Sequence, residues 1–397
     1  MNYLNKRTVE DIDVAGKRVL LRCDFNVPLD DECNITDTKR IDEAIKTINY
    51  LLKNNAKVIL CSHLGRPKGE FNLKYSLKPV AVYLSKVLGK NVVLASDVVG
   101  ESAKKVVENL REDEVCMLEN LRFEKGETQN DPEFSKKLAS LADIYVNDAF
   151  GTCHRAHSST AGVAEYLPSA CGFLIKKEIT IMSQVLENPK RPFVAIIGGA
   201  KVSDKIEIIN SLLNKVDVLI IGGGMSYTFM NALGYSVGNS LCEKDKLEIA
   251  KEIMTRAKEK GVKLVLPVDT VIGKEFSENT EYCTVDMDRI SENWMGLDIG
   301  NRTVQLFSNV INKAGTVIWN GPMGVFEWSN FSKGTVEIAR AIAESGAVSI
   351  IGGGDSAAAA EKFGFADKIT HISTGGGASL EFLKGGELPG LSALDDK

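Results

Sequence analysis

At 397 residues the chain is too long for one ordinary core, and two α/β domains are the natural organisation. A formal net charge of −5 with an ordinary apolar content speaks against general binding to nucleic acid or membrane, although a local basic cluster can still capture an anionic metabolite. No apolar run approaches the ~18 residues that span a bilayer, the opening MNYLNKRTVEDIDVAG has no basic-then-apolar leader, and the eight cysteines show no C-x-x-C pair or zinc spacing, so the expectation is a cytoplasmic protein with free thiols.

The first half carries short apolar runs at Arg18 to Cys23, Lys57 to Cys61, Val92 to Ala95, Val115 to Leu118 and Ile144 to Val146. Helical periodicity lies between them, clearest from Thr38 to Asn54, where Ile41, Ile45, Ile48, Leu51 and Leu52 share a stripe. This alternation predicts a parallel sheet. The residues leaving these strands are polar or charged: Asp24 and Asn26, His63 and Arg66, Asn120 and Arg122, Asn147 and Asp148. In an open parallel sheet such exits converge on a crevice beyond the carboxyl ends of the strands. A further helical pattern from Ile175 to Leu186 ends at ENPKRP, where Pro189 and Pro192 mark a domain junction.

The second half repeats one pattern: an apolar run, glycines, then small or polar residues that open a helix. It occurs at VAIIGGAKVSDK from Val194, VLIIGGGMS from Val218, VIWNGPMG from Val317, VSIIGGGDSAAA from Val348 and HISTGGGASLE from His371. Glycine at a strand exit lets backbone N–H groups approach a ligand, and helix N-termini favour anions, so several such exits make a phosphate cradle. Neither G-x-x-x-x-G-K-[ST] nor G-x-G-x-x-G is present, which disfavours a P-loop NTPase and a standard dinucleotide dehydrogenase.

The chemistry suggested by the first half is capture of an anion by side chains. Arg40 sits in the first turn of the helix opened by Asp37 and Thr38, where the helix dipole disfavours a cation. Arg66, Arg122 and Arg155, the last in GTCHRAHSS, follow strand exits, and guanidinium geometry suits both phosphate and carboxylate. His63 is either a satisfied structural histidine or a ligand contact three residues before Arg66. His154 and His157 lack a third ligand at sensible spacing and are not read as a metal pair. In GGAKVSDK, Lys201 and Lys205 are expected on one face of the helix opening there, as partners for nucleotide phosphates. Asp355 in GGGDSAAA is either a helix cap, a ligand for Mg²⁺, or both. Cys153 stands beside His154 and Arg155, a setting expected to favour its thiolate and to make the protein sensitive to oxidation; Cys23, before DFNVP, is a second thiol expected to lower its resistance to oxidation.

DFNVP (24–28), SHLGRP (62–67), LENLRF (118–123), NDAFGTCHRAHSS (147–159), GGAKVSDKI (198–206), WNGPMGVFEW (319–328), GGGDSAA (352–358) and STGGGASLE (373–381) together resemble the signatures of the phosphoglycerate kinase family, in order and along nearly the whole chain. The resemblance implies two Rossmann-like α/β domains with parallel sheets, joined by a helix and separated by a cleft. Their expected bounds are 1–170 for a domain binding 3-phosphoglycerate, with a tail at 380–397 returning to it, 171–189 for the connecting helix, and 190–379 for a nucleotide-binding domain. It implies reversible transfer of a phosphoryl group from 1,3-bisphosphoglycerate to MgADP, giving 3-phosphoglycerate and MgATP. Asp24, Asn26, Arg40, His63, Arg66, Arg122 and Arg155 would bind the glycerate. Lys205, Gly296, Glu327, Gly352, Gly353, Gly354 and Asp355 would bind the nucleotide, with Glu327 on the ribose and Asp355 holding Mg²⁺ through the nucleotide complex; Arg40 and Lys201 would serve the transition state. No nucleic acid or membrane partner is expected, and a monomer is. A nucleotide-binding regulator descended from such a kinase would be expected to lack Arg40, Lys201 or Asp355, and all are present.

Overall fold

The computed structural model describes residues 3–397. The chain forms two compact units, one running to Thr180 and including Glu387–Lys397, the other Ile181–Gly386.

The first unit is built on a six-stranded parallel sheet of β1 (Arg18–Arg22), β2 (Lys57–Cys61), β3 (Val92–Leu94), β4 (Val115–Met117), β5 (Ile144–Asn147) and β6 (Ser169–Cys171), in the order β3-β4-β2-β1-β5-β6. β1, β2, β4 and β5 are buried nearly throughout, as strands of a parallel sheet covered on both faces are. The helix Lys39–Lys53 buries Ile41, Ala44, Ile48, Leu51 and Leu52 into the core formed with Val19, Leu21, Val58 and Leu60. From β1 the chain moves to one side of the sheet, and it returns at β5 on the other. The crevice beyond the carboxyl ends of β1 and β5 is therefore this unit's switch point.

The second unit carries a second six-stranded parallel sheet: β7 (Phe193–Ile197), β8 (Val218–Ile221), β9 (Lys263–Val265), β13 (Thr316–Asn320), β14 (Val348–Ile351) and β15 (His371–Ile372), in the order β15-β14-β13-β7-β8-β9. Between β9 and β13 lies an antiparallel sheet of β10 (Asp269–Gly273), β11 (Tyr282–Asp286) and β12 (Met295–Ile299), which sequence periodicity does not reveal. The switch point here falls between β7 and β13.

The division between units falls between Thr180 and Ile181, inside the 171–189 expected for the connecting helix and before the junction expected at ENPKRP. It falls inside the continuous helix Phe173–Glu187, whose first turn is bound to the first unit. Leu174 N and Ile175 N donate to Asp148 Oδ1 at 2.9 and 3.1 Å, and Phe173 N donates to Thr47 Oγ1 at 3.0 Å. The returning tail begins at Glu387 rather than 380, because the helix Gly377–Lys384 is held within the second unit by Ser211 Oγ on Leu383 O and by Lys384 on Glu207. The tail itself is anchored by Gly390 N to Cys153 O (2.9 Å), Lys6 Nζ to Leu394 O (2.6 Å) and Lys397 N to Asn5 O (2.9 Å).

Candidate active site

In the first unit, the loops leaving β1, β2 and β4 tie together five of the seven residues expected to bind the acid. Arg40, the second residue of its helix, donates from Nη1 to Asp24 Oδ2 (3.2 Å) and to Asn26 O (3.1 Å). Those two bonds explain how a cation is held at a helix N-terminus whose dipole opposes it. Asn26 Oδ1 accepts Gly65 N at 2.8 Å, and Arg122 Nη1 donates to Gly65 O at 2.7 Å, so the β2 exit is clamped from both neighbours. Asn120 reinforces it by accepting from Leu64 N and donating to Leu64 O and Tyr75 O. His63 is buried, with Nδ1 at 3.2 Å from Arg22 Nη2 and 4.0 Å from Asp24 Oδ1.

Arg66 is exposed and shares a cavity of about 400 Å³ with Arg122, Lys68 and Lys125. Arg155 is exposed on the turn after β5, and its charge is felt at Arg122. The crowding has an electrostatic signature. Burial, then the like charges of Arg155, Arg22 and Arg66, push Arg122 down to about 10, and its buried Nε has no hydrogen-bond partner. Burial and the cations Arg22, Arg122 and Arg40 hold His63 well below its usual value, while burial and Arg22 lower His157 to about 4, so both rings are neutral near pH 7. Arg22, Arg40, Arg66, Arg122 and Arg155 outnumber the carboxylates among them, Asp24 and Glu127, and such an excess of closely packed cations forms a site made for a multiply charged anion.

Arg22 and Glu127 were missed by sequence reasoning. Arg22 closes β1 and is 1% exposed; Glu127 is fully buried in the short helix Lys125–Gln129. The available signal was an arginine ending a strand otherwise apolar on both faces, RVLLRC.

In the second unit, the glycine turns after β7, β8 and β13 meet backbone to backbone. A Cβ on Gly321 would lie 2.2 Å from Gly198 O, and one on Gly223 would lie 2.5 Å from Gly199 N. Beside them opens a cavity of about 550 Å³ whose wall includes Gly199, Gly224, Leu241, Met295, Leu297 and Val325, together with Gly296, Glu327 and Asp355. A mostly apolar slot with two carboxylates at its rim suits a heterocyclic base with a polar sugar. Gly296 is required by close approach: a Cβ there would fall 1.8 Å from Tyr227 Oη, a buried hydroxyl bonded to Thr270 Oγ1 at 2.7 Å.

The expectation for Lys201 and Lys205 needs correction. Residues 198–205 form a loop, and the helix begins only at Ile206, so the lysines do not share a helical face. The cause is local: Lys205 has φ −121° and ψ −3°, outside helical geometry. Lys201 is exposed, whereas half-buried Lys205 reaches Asn320 Oδ1, and Asn320 Nδ2 donates to Gly352 O. Burial lowers the pKa of Lys205, against the opposing pull of Asp204 and Asp355. Gly352, Gly353 and Gly354 lead into the helix Gly354–Lys362, whose N-cap is Gly353, and Asp355 stands exposed in its first turn. Asp355 is thus not the N-cap residue. Its oxygen donors suit Mg²⁺, and since no three His, Cys, Asp or Glu side chains cluster suitably among the described residues, further ligands would come from a bound phosphate chain and water.

A second correction concerns the cysteines. Cys153 is 0% exposed beneath the returning tail, where Gly390 packs on it, and burial raises its thiol pKa instead of the neighbouring cations lowering it. Cys23 is likewise fully buried with a raised pKa. Under brief iodoacetamide treatment of the native protein, exposed Cys283 is expected to be alkylated first, with Cys23 and Cys153 unmodified by peptide mass spectrometry. Early modification of Cys153 would contradict this burial.

The family model for phosphoglycerate kinase matches residues 9–386. The chain belongs to the phosphoglycerate kinase family. It is accordingly an enzyme, a kinase of the two-domain α/β fold of that family. The phosphoglycerate kinase of Clostridium novyi (strain NT) is 61% identical over 397 residues, covering 99% of this chain and 100% of the relative, and that of Clostridium tetani (strain Massachusetts / E88) is 60% identical over 396 residues, covering 99% and 98%. The solved structure of phosphoglycerate kinase from Coxiella burnetii superposes with a TM-score of 0.90 at 43% identity, covering 98% of each chain. That from Pyrococcus horikoshii OT3 superposes at 0.84 with 34% identity and the same coverage.

Proposed function

We propose that this kinase catalyses reversible transfer of a phosphoryl group from 1,3-bisphosphoglycerate to MgADP, giving 3-phosphoglycerate and MgATP. The observation that carries the reading is the crowded cation group Arg40, Arg66, Arg122 and Arg155, packed beside the neutral ring of His63, in a unit separate from the glycine-lined cavity. A carboxylate acceptor is already ionised at neutral pH, so the reaction needs no general base. The protein's task is to position anions and stabilise charge on the transferring group. Arg40 and Lys201 are assigned to that charge, one from each unit. Lys205, the Gly352–Gly354 turn and the rim carboxylates are assigned to the nucleotide, with Glu327 on the ribose. Asp355 would hold Mg²⁺ on the nucleotide, where the ion would supply charge neutralisation on the phosphates. A coupled assay for ATP- and Mg²⁺-dependent phosphorylation of 3-phosphoglycerate tests the reading; no turnover with saturating substrates rejects it.

Asp355→Asn is expected to weaken binding of the Mg²⁺–nucleotide complex about tenfold while changing metal-free nucleotide binding little, as for loss of one carboxylate from a metal ligand set. Calorimetry with and without Mg²⁺ checks this, and equal losses in both conditions would remove Asp355 from the metal.

Direct transfer requires reacting atoms about 3 to 3.5 Å apart and shielding of the acyl phosphate from water. With the cations divided between two units, we assign this approach to in-line transfer after domain closure, with the helix Phe173–Glu187 as hinge, since it runs from one unit into the other. Like charges oppose closure until both substrates neutralise them. Small-angle scattering is expected to show the largest compaction with 3-phosphoglycerate and MgATP together; an unchanged radius of gyration at saturation of both sites would refute closure. The working form is assigned as a cytoplasmic monomer with no nucleic acid or membrane partner; among the described residues no helix is long and apolar enough to cross a membrane.

A further inference from the structure

We propose that Arg22 is a positioning residue that fixes the neutral imidazole of His63 in the tautomer carrying its proton on Nε2. The argument rests on which groups can donate. A guanidinium has five N–H donors and no acceptor. Arg22 Nη2 lies 3.2 Å from His63 Nδ1, so at that contact Nδ1 supplies the lone pair and carries no proton. Asp24 Oδ1, at 4.0 Å from the same nitrogen, is too far to accept a proton from it.

The guanidinium is not free to swivel away. Its Nε donates to Ser159 Oγ at 2.9 Å, and its Nη1 donates to Cys23 O. Ser159 is oriented in turn: its hydroxyl donates to Glu127 Oε1 at 2.6 Å and its amide to Glu127 Oε2 at 3.0 Å. A hydroxyl has one proton, and with that proton on Glu127 only lone pairs remain to face Arg22. Donor direction therefore runs one way, from Arg22 through Ser159 to Glu127, and every member is buried. Four segments far apart in sequence, the ends of β1 and β2, the helix Lys125–Gln129 and the turn at Ser159, combine to set one proton position.

The consequence is that His63 offers one ring donor, Nε2–H, held in a fixed orientation. For the anion-binding role, which rests on the function proposed above, this spares the ligand the cost of selecting a tautomer and of ordering the ring.

The test uses the full chain labelled with ¹⁵N-histidine, whose four histidines give few enough ring signals to resolve, with His63→Gln identifying the one required. Without any ligand, long-range ¹H–¹⁵N correlation is expected to show His63 as a single tautomer, protonated at Nε2 and bare at Nδ1. A proton on Nδ1, an averaged pair of nitrogens, or a doubly protonated ring near pH 7 overturns the proposal. In Arg22→Lys, which keeps the charge and loses the planar fork, the tautomers are expected to mix. KM for 3-phosphoglycerate should rise roughly tenfold with kcat changed less than about twofold, the pattern for loss of a binding contact held in ground and transition state alike. A variant that keeps the single tautomer, or that loses it with no rise in KM, also overturns the proposal. If Arg22→Lys does not fold, the ligand-free spectrum of the unaltered protein still decides. Because that spectrum involves no substrate, failure of the proposed reaction and failure of the tautomer assignment are seen in separate experiments.

Discussion

Arg40→Ala is expected to lower kcat for phosphorylation of 3-phosphoglycerate by roughly a thousandfold while leaving nucleotide affinity nearly unchanged, the upper range for removing one preorganised charge from a developing anion. The free protein already holds this side chain in place: two bonds from Nη1, to Asp24 Oδ2 and Asn26 O, fix the guanidinium, and its side chain remains 40% exposed. An arginine tethered through one nitrogen keeps the rest of its planar fork for a ligand. The same tether predicts a control. Asp24→Asn removes the ion pair without removing the charge of Arg40, so it should cost far less in kcat, and more in the precision with which the acid is bound. Steady-state kinetics with each substrate varied, beside thermal melts to confirm folding, decide the matter. A loss confined to KM for 3-phosphoglycerate would make Arg40 a binding residue only.

What could be read from the sequence was set by how locally each feature is encoded. The buried parallel strands were legible because runs such as KVILC and VLII are bounded by turn residues within a few positions, and the observed β2 and β8 begin where those runs do. The antiparallel insertion was not. β11 is mostly exposed, and β10 to β12 have neither a long apolar run nor a short hairpin turn to announce them. The site residues at strand exits were visible as residue types, since charge and glycine stand out after apolar runs. Their supports were invisible because they come from distant segments: nothing near His63 in sequence points to Arg22, and nothing near Gly296 points to Tyr227. The helical reading of 201–205 failed for the opposite reason. Spacing of four suggested a face, but the backbone at Lys205 delays the helix to Ile206.

Asp148 shows how a residue recognised only as a polar strand exit acquires a measurable energetic role. Its Oδ1 accepts the amides of Leu174 and Ile175, capping the helix that runs from the first unit into the second, and Thr47 bonds to the same carboxyl group. Gly172 makes the approach possible, because a Cβ there would lie 2.2 Å from Asp148 Cγ. Against these bonds stand complete burial, an Oδ2 with no hydrogen-bond partner, and the negative charge of Glu43. Burial wins, and the carboxyl is raised from 3.8 to about 7. Between those two values the folded protein binds a proton that the unfolded chain does not, so stability falls as pH rises through this window and levels off above about 7. Asparagine mimics the protonated form, keeping an oxygen for the two amides and carrying no charge. The free-energy difference between Asp148→Asn and the unaltered protein should therefore shift in favour of the variant by about 3 kcal/mol from about pH 5 to about pH 8, at ~1.4 kcal/mol per pH unit up to the folded pKa. Hydrogen exchange of the β1 and β5 amides, followed in urea at each pH, reports the stability of the first unit separately from the second. A difference that stays constant across that range would mean that Asp148 is ionised throughout, and that its two amide bonds outweigh its burial.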